Sequence, residues 1–234
     1  MDSRLIVALD FPSAEPALAL SDRLHGQVQW LKIGLELYCA EGPNLVRELR
    51  GRGFSVFLDL KLHDIPNTVA AAVRSAASTG AELLTVHAAG GPAMLRAAAD
   101  AAAALPQPPQ LLAVTVLTSM DSAQLGAVGI AGAPADQVRR LAALAADSGI
   151  TGLVASAEEV ATLRSVYPEA TLVIPGIRPA GAPIGDQKRV ATPAAALAAG
   201  ASSLVIGRPI TQAADPVEVT RAILAEMASV PAKS

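Results

Sequence analysis

Ser55-Val56-Phe57-Leu58-Asp59-Leu60-Lys61 reads as a buried strand that ends in charge. Its apolar residues run on without polar alternation, as a parallel strand covered on both faces requires. Asp59 and Lys61 stand two apart, so on an extended strand their side chains point to the same side. Seven other short apolar runs share the first property: Leu5 to Leu9, Val28 to Ile33, Leu83 to His87, Leu111 to Leu117, Gly152 to Ala155, Thr171 to Ile174 and Ser203 to Ile206. Between them lie stretches of strong helix formers, among them Glu36 to Arg50, Val69 to Ser78, Pro92 to Ala104, Ala135 to Ala146 and Ala157 to Val166. Eight strands alternating with helices, each followed by a right-handed crossover, predict an α/β protein built as a closed (β/α)8 (TIM) barrel. A single domain spanning residues 1–234 is expected. The alternative is a doubly wound open sheet, which usually carries a glycine-rich dinucleotide turn after its first strand. Here that turn reads Ala8-Leu9-Asp10-Phe11-Pro12.

Composition narrows the class of protein. A length of 234 residues matches one such barrel, and a net charge of -3 with scattered basic residues gives no footprint for nucleic acid. Cys39 is the only cysteine, which excludes an intrachain disulfide and a cysteine-cluster metal site. Beside Tyr38 in a helical pattern it reads as a core residue. The run from Val190 to Gly207 is uncharged, yet Pro193, Gly200, Ser202 and Ser203 break it into a helix, a turn and a buried strand rather than a membrane span. Met1 to Arg4 leads straight into a strand, without the apolar stretch of a signal peptide. A soluble, cytoplasmic protein is expected. Gly126 to Pro134 reads as a loop with no assignable chemistry.

The charges fall at strand ends. Asp10 closes the first strand, Lys32 the second, and Asp59 and Lys61 the third; His87 ends the fourth. Thr118 and Ser119 follow the fifth, Arg178 the seventh and Arg208 the eighth. In a barrel these ends converge on the face that carries active sites. With Asp64 added, the charges form an alternating Lys32-Asp59-Lys61-Asp64 row. A plug of salt bridges is the bland explanation, but buried ion pairs seldom add stability over apolar packing, so groups this costly are more often kept for chemistry. Pro175-Gly176-Ile177-Arg178 and Ile206-Gly207-Arg208-Pro209 follow strands seven and eight, the usual phosphate position in such barrels. Glycine admits backbone N–H groups close to phosphate oxygens, and arginine offers a planar fork of donors. His87 is open between a place in the site and a structural one. His25 and His63 read as surface or supporting residues, Trp30 as barrel wall, and Glu36 and Glu41 as a solvated helix face.

The segment Asp59-Leu60-Lys61-Leu62-His63-Asp64-Ile65-Pro66-Asn67-Thr68 resembles the signature of the orotidine 5'-phosphate decarboxylase family. Its D-x-K-x-x-D core is shared with a wider superfamily of phosphosugar barrels; the continuation through Ile-Pro-Asn-Thr is more specific. Ala8-Leu9-Asp10, Lys32-Ile33-Gly34, Leu117-Thr118-Ser119, Pro175 to Pro179, Gly185-Asp186-Gln187 and Gly207-Arg208-Pro209 match in the same order over nearly the whole chain. The resemblance implies decarboxylation of orotidine 5'-monophosphate to uridine 5'-monophosphate without cofactor or metal. It implies that Asp10 and Lys32 hold ribose hydroxyls, that Asp59 lies against the substrate carboxylate, and that Lys61 protonates C6 of the pyrimidine. Asp64, Ile65 and Thr68 would reach into the site of a partner subunit, making the active unit a homodimer. Thr118 and Ser119 would face the pyrimidine. Arg178, Gln187, Gly207 and Arg208 would hold the 5'-phosphate, under a lid formed by Pro179 to Lys188. Two other readings share parts of this pattern. A metal-dependent sugar-phosphate decarboxylase or synthase of the same superfamily would bind Mg²⁺ through its carboxylates. A non-catalytic nucleotide sensor would keep the barrel and the phosphate cradle alone.

Overall fold

The computed structural model describes residues 2–179 and 191–230. Its eight strands are β1 (Leu5–Ala8), β2 (Trp30–Ile33), β3 (Ser55–Leu62), β4 (Leu83–His87), β5 (Gln110–Val114), β6 (Gly152–Val154), β7 (Thr171–Ile174) and β8 (Ser203–Ile206). They pair in parallel in chain order, and β8 returns to β1 to close the barrel. Each apolar run of the sequence holds one strand, and closure excludes the open sheet. The fifth strand is shorter than Leu111 to Leu117, because the Thr115 amide and hydroxyl both turn onto the Val154 carbonyl and the chain then leaves the sheet.

Alternation along the strands builds two cores. Ile6 and Ala8 point inward with Phe57, Leu83, Leu112, Val173 and Val205, and Trp30 packs against them as barrel wall. Their neighbours Leu5, Val7, Val56, Leu58, Leu84, Leu172 and Leu204 point outward into a far larger cluster beneath the helices. Burying each such side chain contributes about 1.5–3 kcal/mol, so the outer cluster carries most of the fold's stability. The upper end of the barrel interior is thereby released for polar residues.

The helices are α1 (Ala14–Leu24), α2 (Leu35–Glu41), α3 (Pro43–Gly51), α4 (Pro66–Ala77), α5 (Gly91–Ala103), α6 (Ser122–Ala127), α7 (Pro134–Asp147), α8 (Val160–Val166), α9 (Pro193–Ala199), α10 (Arg208–Thr211) and α11 (Pro216–Ala228). The single helix expected over Glu36 to Arg50 is two. Gly42 has φ +67°, a left-handed conformation open to glycine, and Pro43 restarts the helix at a position that needs no N–H donor. Cys39 is exposed rather than in the core. On α2 the buried residue is Leu37, and a residue two places on stands about 200° round the helix. Glu41 is not a solvated carboxylate either: its Oε1 accepts the Ala14 N–H at 2.8 Å and so caps α1. The loop region after β5 contains α6, started by an Asp121–Gln124 capping box that the glycine and alanine content of the neighbouring loop obscured.

The described part of the uncharged stretch, residues 191–207, forms α9, a turn and β8 as expected, with Thr192 capping the helix through Ala195 N–H. Among the described residues no helix is long and apolar enough to cross a membrane. The two ends of the described chain are clasped by Arg4, whose guanidinium donates to the Val230 and Met227 carbonyls at 2.9 and 3.1 Å.

Candidate active site

The C-terminal end of β3 departs from a regular strand. Its register against β4 shifts between Leu58 and Leu62, and within that bulge Lys61 has φ +51°. Lys61 is the one non-glycine among the described residues with positive φ. A side-chain-bearing residue held there costs on the order of 1–3 kcal/mol, and such strain collects at functional sites. The Lys61 N–H donates to Thr85 Oγ1 at 2.8 Å, and that hydroxyl donates in turn to Asp59 Oδ1 at 3.0 Å.

From this point the charges form a continuous row. Lys61 Nζ donates to Asp59 Oδ1 at 2.8 Å, Asp59 Oδ2 faces Lys32 Nζ at 3.4 Å, and Lys32 Nζ lies 3.5 Å from Asp10 Oδ1. The Lys32 and Asp59 side chains are only 10% and 13% exposed, whereas Lys61 is 31% exposed. The inner pair is therefore the drier one, and the Lys61 ammonium stands nearer the mouth. Burial pushes the Asp59 carboxyl up, but the Lys32 and Lys61 charges and the hydrogen bonds from Lys61 and Thr85 outweigh it. Asp59 is held below the usual carboxylate range and is ionised at neutral pH.

Above the row lies a cavity of about 240 Å³. Phe57 and Val205 form its floor; Lys32, Asp59 and Lys61 line it from β2 and β3. Across the barrel, Val114, Val116, Val154, Ala155 and Pro175 supply an apolar wall, while Thr118 and Ser119 add polar groups from the loop after β5. One charged side and one apolar side suit a flat ring whose reacting edge faces the lysine. An open cavity above the ion row also speaks against a mere plug.

The remaining expected residues divide into groups. Gly207 follows β8 where a Cβ would meet Asp10 Oδ2 at 3.0 Å and Ala8 Cβ at 3.3 Å, so only glycine lets that loop lie against Asp10 without displacing it. Arg208 opens α10 and is half-buried, and Arg178 is buried after β7 with its Nη1 on the Ile177 carbonyl at 2.9 Å. A backbone bridge between Ile177 and Ala191, with Arg178 N–H donating to Ala191 O at 3.0 Å, anchors the β7 loop. Gln187, and all of the expected Pro179 to Lys188 lid except Pro179, lie outside the described residues.

Asp64, Ile65 and Thr68 are exposed and do not line the cavity of their own chain. The Asp64 carboxylate accepts the Ile65 N–H at 2.6 Å, so within one chain the row holds Asp10, Lys32, Asp59 and Lys61 but not Asp64.

His87 resolves toward structure. Its Nδ1 accepts the Ala89 N–H at 3.2 Å, capping the turn Ala88–Gly90, and its ring stacks on His63 with centroids 5.3 Å apart. Burial, then the His63 and Lys61 charges, hold it below the ordinary imidazole range. His25 is exposed and sits edge-on to Phe54. The residue missed from sequence is Thr85. Its signal is parity, since it lies two residues before His87 and is the one polar residue at an inward position within Leu83-Leu84-Thr85-Val86. Among the described residues no three carboxylate, imidazole or thiol side chains converge as a metal site, and the carboxylates at the mouth are already engaged by ammonium groups.

Comparison with known proteins agrees with this geometry. Residues 3–223 match the sequence profile described as "Orotidine 5'-phosphate decarboxylase / HUMPS family". The chain is 55% identical to an orotidine 5'-phosphate decarboxylase of Halorhodospira halophila, over 97% of this chain and 96% of the relative. It is 52% identical to the enzyme of the same name from Nitrosococcus oceani, over 97% of this chain and 99% of the relative. The crystal structure of an orotidine 5'-phosphate decarboxylase from Lactobacillus acidophilus superposes with a TM-score of 0.82 at 37% identity, covering 97% of this chain and 99% of that one.

Proposed function

The chain belongs to the orotidine 5'-phosphate decarboxylase / HUMPS family, and from that premise we propose how its barrel mouth carries out the reaction. The protein is an orotidine 5'-phosphate decarboxylase, converting orotidine 5'-monophosphate to uridine 5'-monophosphate in pyrimidine biosynthesis. The observation that carries the mechanism is Lys61 Nζ held 2.8 Å from Asp59 beside the cavity. In the reaction the bond from C6 to the carboxylate breaks, its electron pair stays on C6, and carbon dioxide leaves. C6 then takes a proton from Lys61 Nζ, and the neutral amine regains one from solvent. An ammonium fixed beside C6 stabilises the negative charge as it develops and is in place to donate. The strain at Lys61 serves this placement, because the bulge sets where its side chain starts.

The other residues hold the substrate. Asp10 and Lys32 bind ribose hydroxyls, Asp59 lies against the departing carboxylate, and Thr118 and Ser119 face the pyrimidine. Arg178, Gln187, Gly207 and Arg208 take the 5'-phosphate, whose remote binding energy is spent on closing and ordering the site. Asp64, Ile65 and Thr68 are proposed to complete the site of a partner subunit in a homodimer; their exposure and their absence from the lining of their own cavity support this. The working unit we propose is a pair of single-domain barrels acting in the cytoplasm.

The test follows ultraviolet absorbance of orotidine 5'-phosphate with purified protein, with and without EDTA. Conversion to uridine 5'-monophosphate in both, reduced about 10⁴-fold or more in Lys61→Ala, is expected from the loss of both the proton donor and its charge. Activity abolished by EDTA would instead favour a metal-dependent sugar-phosphate enzyme. Turnover by Lys61→Ala at the wild-type rate would remove Lys61 from the chemistry.

A further inference from the structure

We propose that Thr85 is a positioning residue for the decarboxylation, its one hydroxyl setting both the backbone of Lys61 and the carboxylate of Asp59. The inference rests on Lys61 being the proton donor.

Thr85 is fully buried on β4, at an inward position whose partner on β5 is the equally buried, apolar Leu112. Valine would fill the same volume, so packing alone does not call for a hydroxyl. That hydroxyl accepts the Lys61 N–H at 2.8 Å and donates its only proton to Asp59 Oδ1 at 3.0 Å. The same Asp59 oxygen receives the Lys61 ammonium at 2.8 Å. A closed loop of hydrogen bonds results, running from the Lys61 amide through Thr85 and Asp59 to the Lys61 ammonium. Lysine is gripped at both ends, and Thr85 ties the grips together.

The backbone end needs such a grip. Lys61 occupies a left-handed conformation inside a register shift, where the regular ladder does not hold the strand. A part-buried N–H left without its acceptor would favour a backbone that restores one, and Lys61 would turn with it. The carboxylate end is affected in the same direction, since Asp59 would lose one of the bonds fixing its orientation. The group reaching C6 would therefore be displaced although no atom of Thr85 touches the substrate. A displacement of about 1 Å at a reacting group can lower a rate about 100-fold.

The experiment is steady-state kinetics with orotidine 5'-phosphate, together with the inhibition constant of uridine 5'-monophosphate, for wild type, Thr85→Val, Thr85→Ala and Thr85→Ser. Thr85→Val is expected to lower kcat about 10- to 100-fold while KM and the product's inhibition constant stay within about threefold of wild type. Thr85→Ser, which keeps the hydroxyl, is expected to restore kcat to within about threefold. If Thr85→Val does not fold, Thr85→Ala must show the same split. A Thr85→Val kcat equal to wild type overturns the inference, as does Thr85→Ser falling as far as Thr85→Val. So does a loss of product affinity in proportion to kcat, the mark of a general disturbance of the pocket. Wild-type protein that releases no carbon dioxide would overturn the reading of Lys61 itself. Active wild type beside an unaffected Thr85→Val would overturn this inference alone.

Discussion

Replacing Asp59 by asparagine removes one charge from the centre of the ion row and keeps its shape. The direction of the effect follows from the carboxyl's depressed pKa: the folded protein favours the ionised form more than water does, so neutralising it costs stability. Removing one partner of a buried pair typically costs about 3–5 kcal/mol. Several features pull the figure toward the lower end. Lys61 is 31% exposed, so water can take over its ammonium, and Lys32 retains Asp10 at 3.5 Å. The asparagine oxygen also still accepts one hydrogen bond. About 3 kcal/mol is expected, and at about 2–4 °C per kcal/mol for a chain of this size the Tm of Asp59→Asn should fall by about 6–12 °C. Calorimetry at pH 7 measures it, with both proteins at one concentration because association between copies shifts Tm. The pH dependence provides a second check. Stability owed to Asp59 is present above its unfolded pKa of about 3.9 and is lost as pH falls through its lower folded value, so the two melting curves should converge in acid. An Asp59→Asn protein as stable as wild type at pH 7 would refute the reasoning. It would mean that burying the carboxylate costs as much as its two lysines return.

Two further predictions follow from other parts of the mouth. His87 has a lowered pKa, so its contribution to stability is complete above the unfolded value of about 6.5 and is eroded as pH falls below that toward the folded one. His87→Asn keeps an acceptor for the Ala89 N–H and removes the titration; urea unfolding should show a flatter stability profile between pH 7 and pH 5, and an unchanged profile would count against His87. Arg208→Ala removes a planar fork from the proposed phosphate site. Two charge-assisted hydrogen bonds of about 1.5–3 kcal/mol each imply a loss of kcat/KM of about 10²- to 10⁴-fold, and an unchanged kcat/KM would take Arg208 out of phosphate binding.

The barrel was legible because strand burial leaves a direct mark. Runs such as Leu83 to His87 and Ser203 to Ile206 are apolar on both faces, and their boundaries coincide with β4 and β8. The ion row was legible for a related reason, since Lys32, Asp59 and Lys61 interrupt apolar runs at the end where strands open. What escaped was set by tertiary contact. Nothing local in Cys39 distinguishes a buried helix position from one turned outward, and the break at Gly42 depends on a φ that glycine permits but does not announce. Glu41 became a cap only because α1 starts beside it. Alternation placed Asp59 and Lys61 on one side, yet their bond is made through a bulge and a left-handed lysine, which a two-residue period does not foresee. Thr85 escaped because a threonine in a strand is ordinary until its partners, 24 and 26 residues away, are known.

Phe57 and the side chains packed with it fill the barrel beneath the cavity, which makes the site a cul-de-sac. Nucleotide entering and nucleotide leaving then use the doorway at the upper rim, the end opposite this packing. Traffic through that doorway is consequently in sequence rather than in parallel, with the next substrate waiting on the departing product. Any change that narrows the rim slows arrival and departure together, however fast the step at C6 has become.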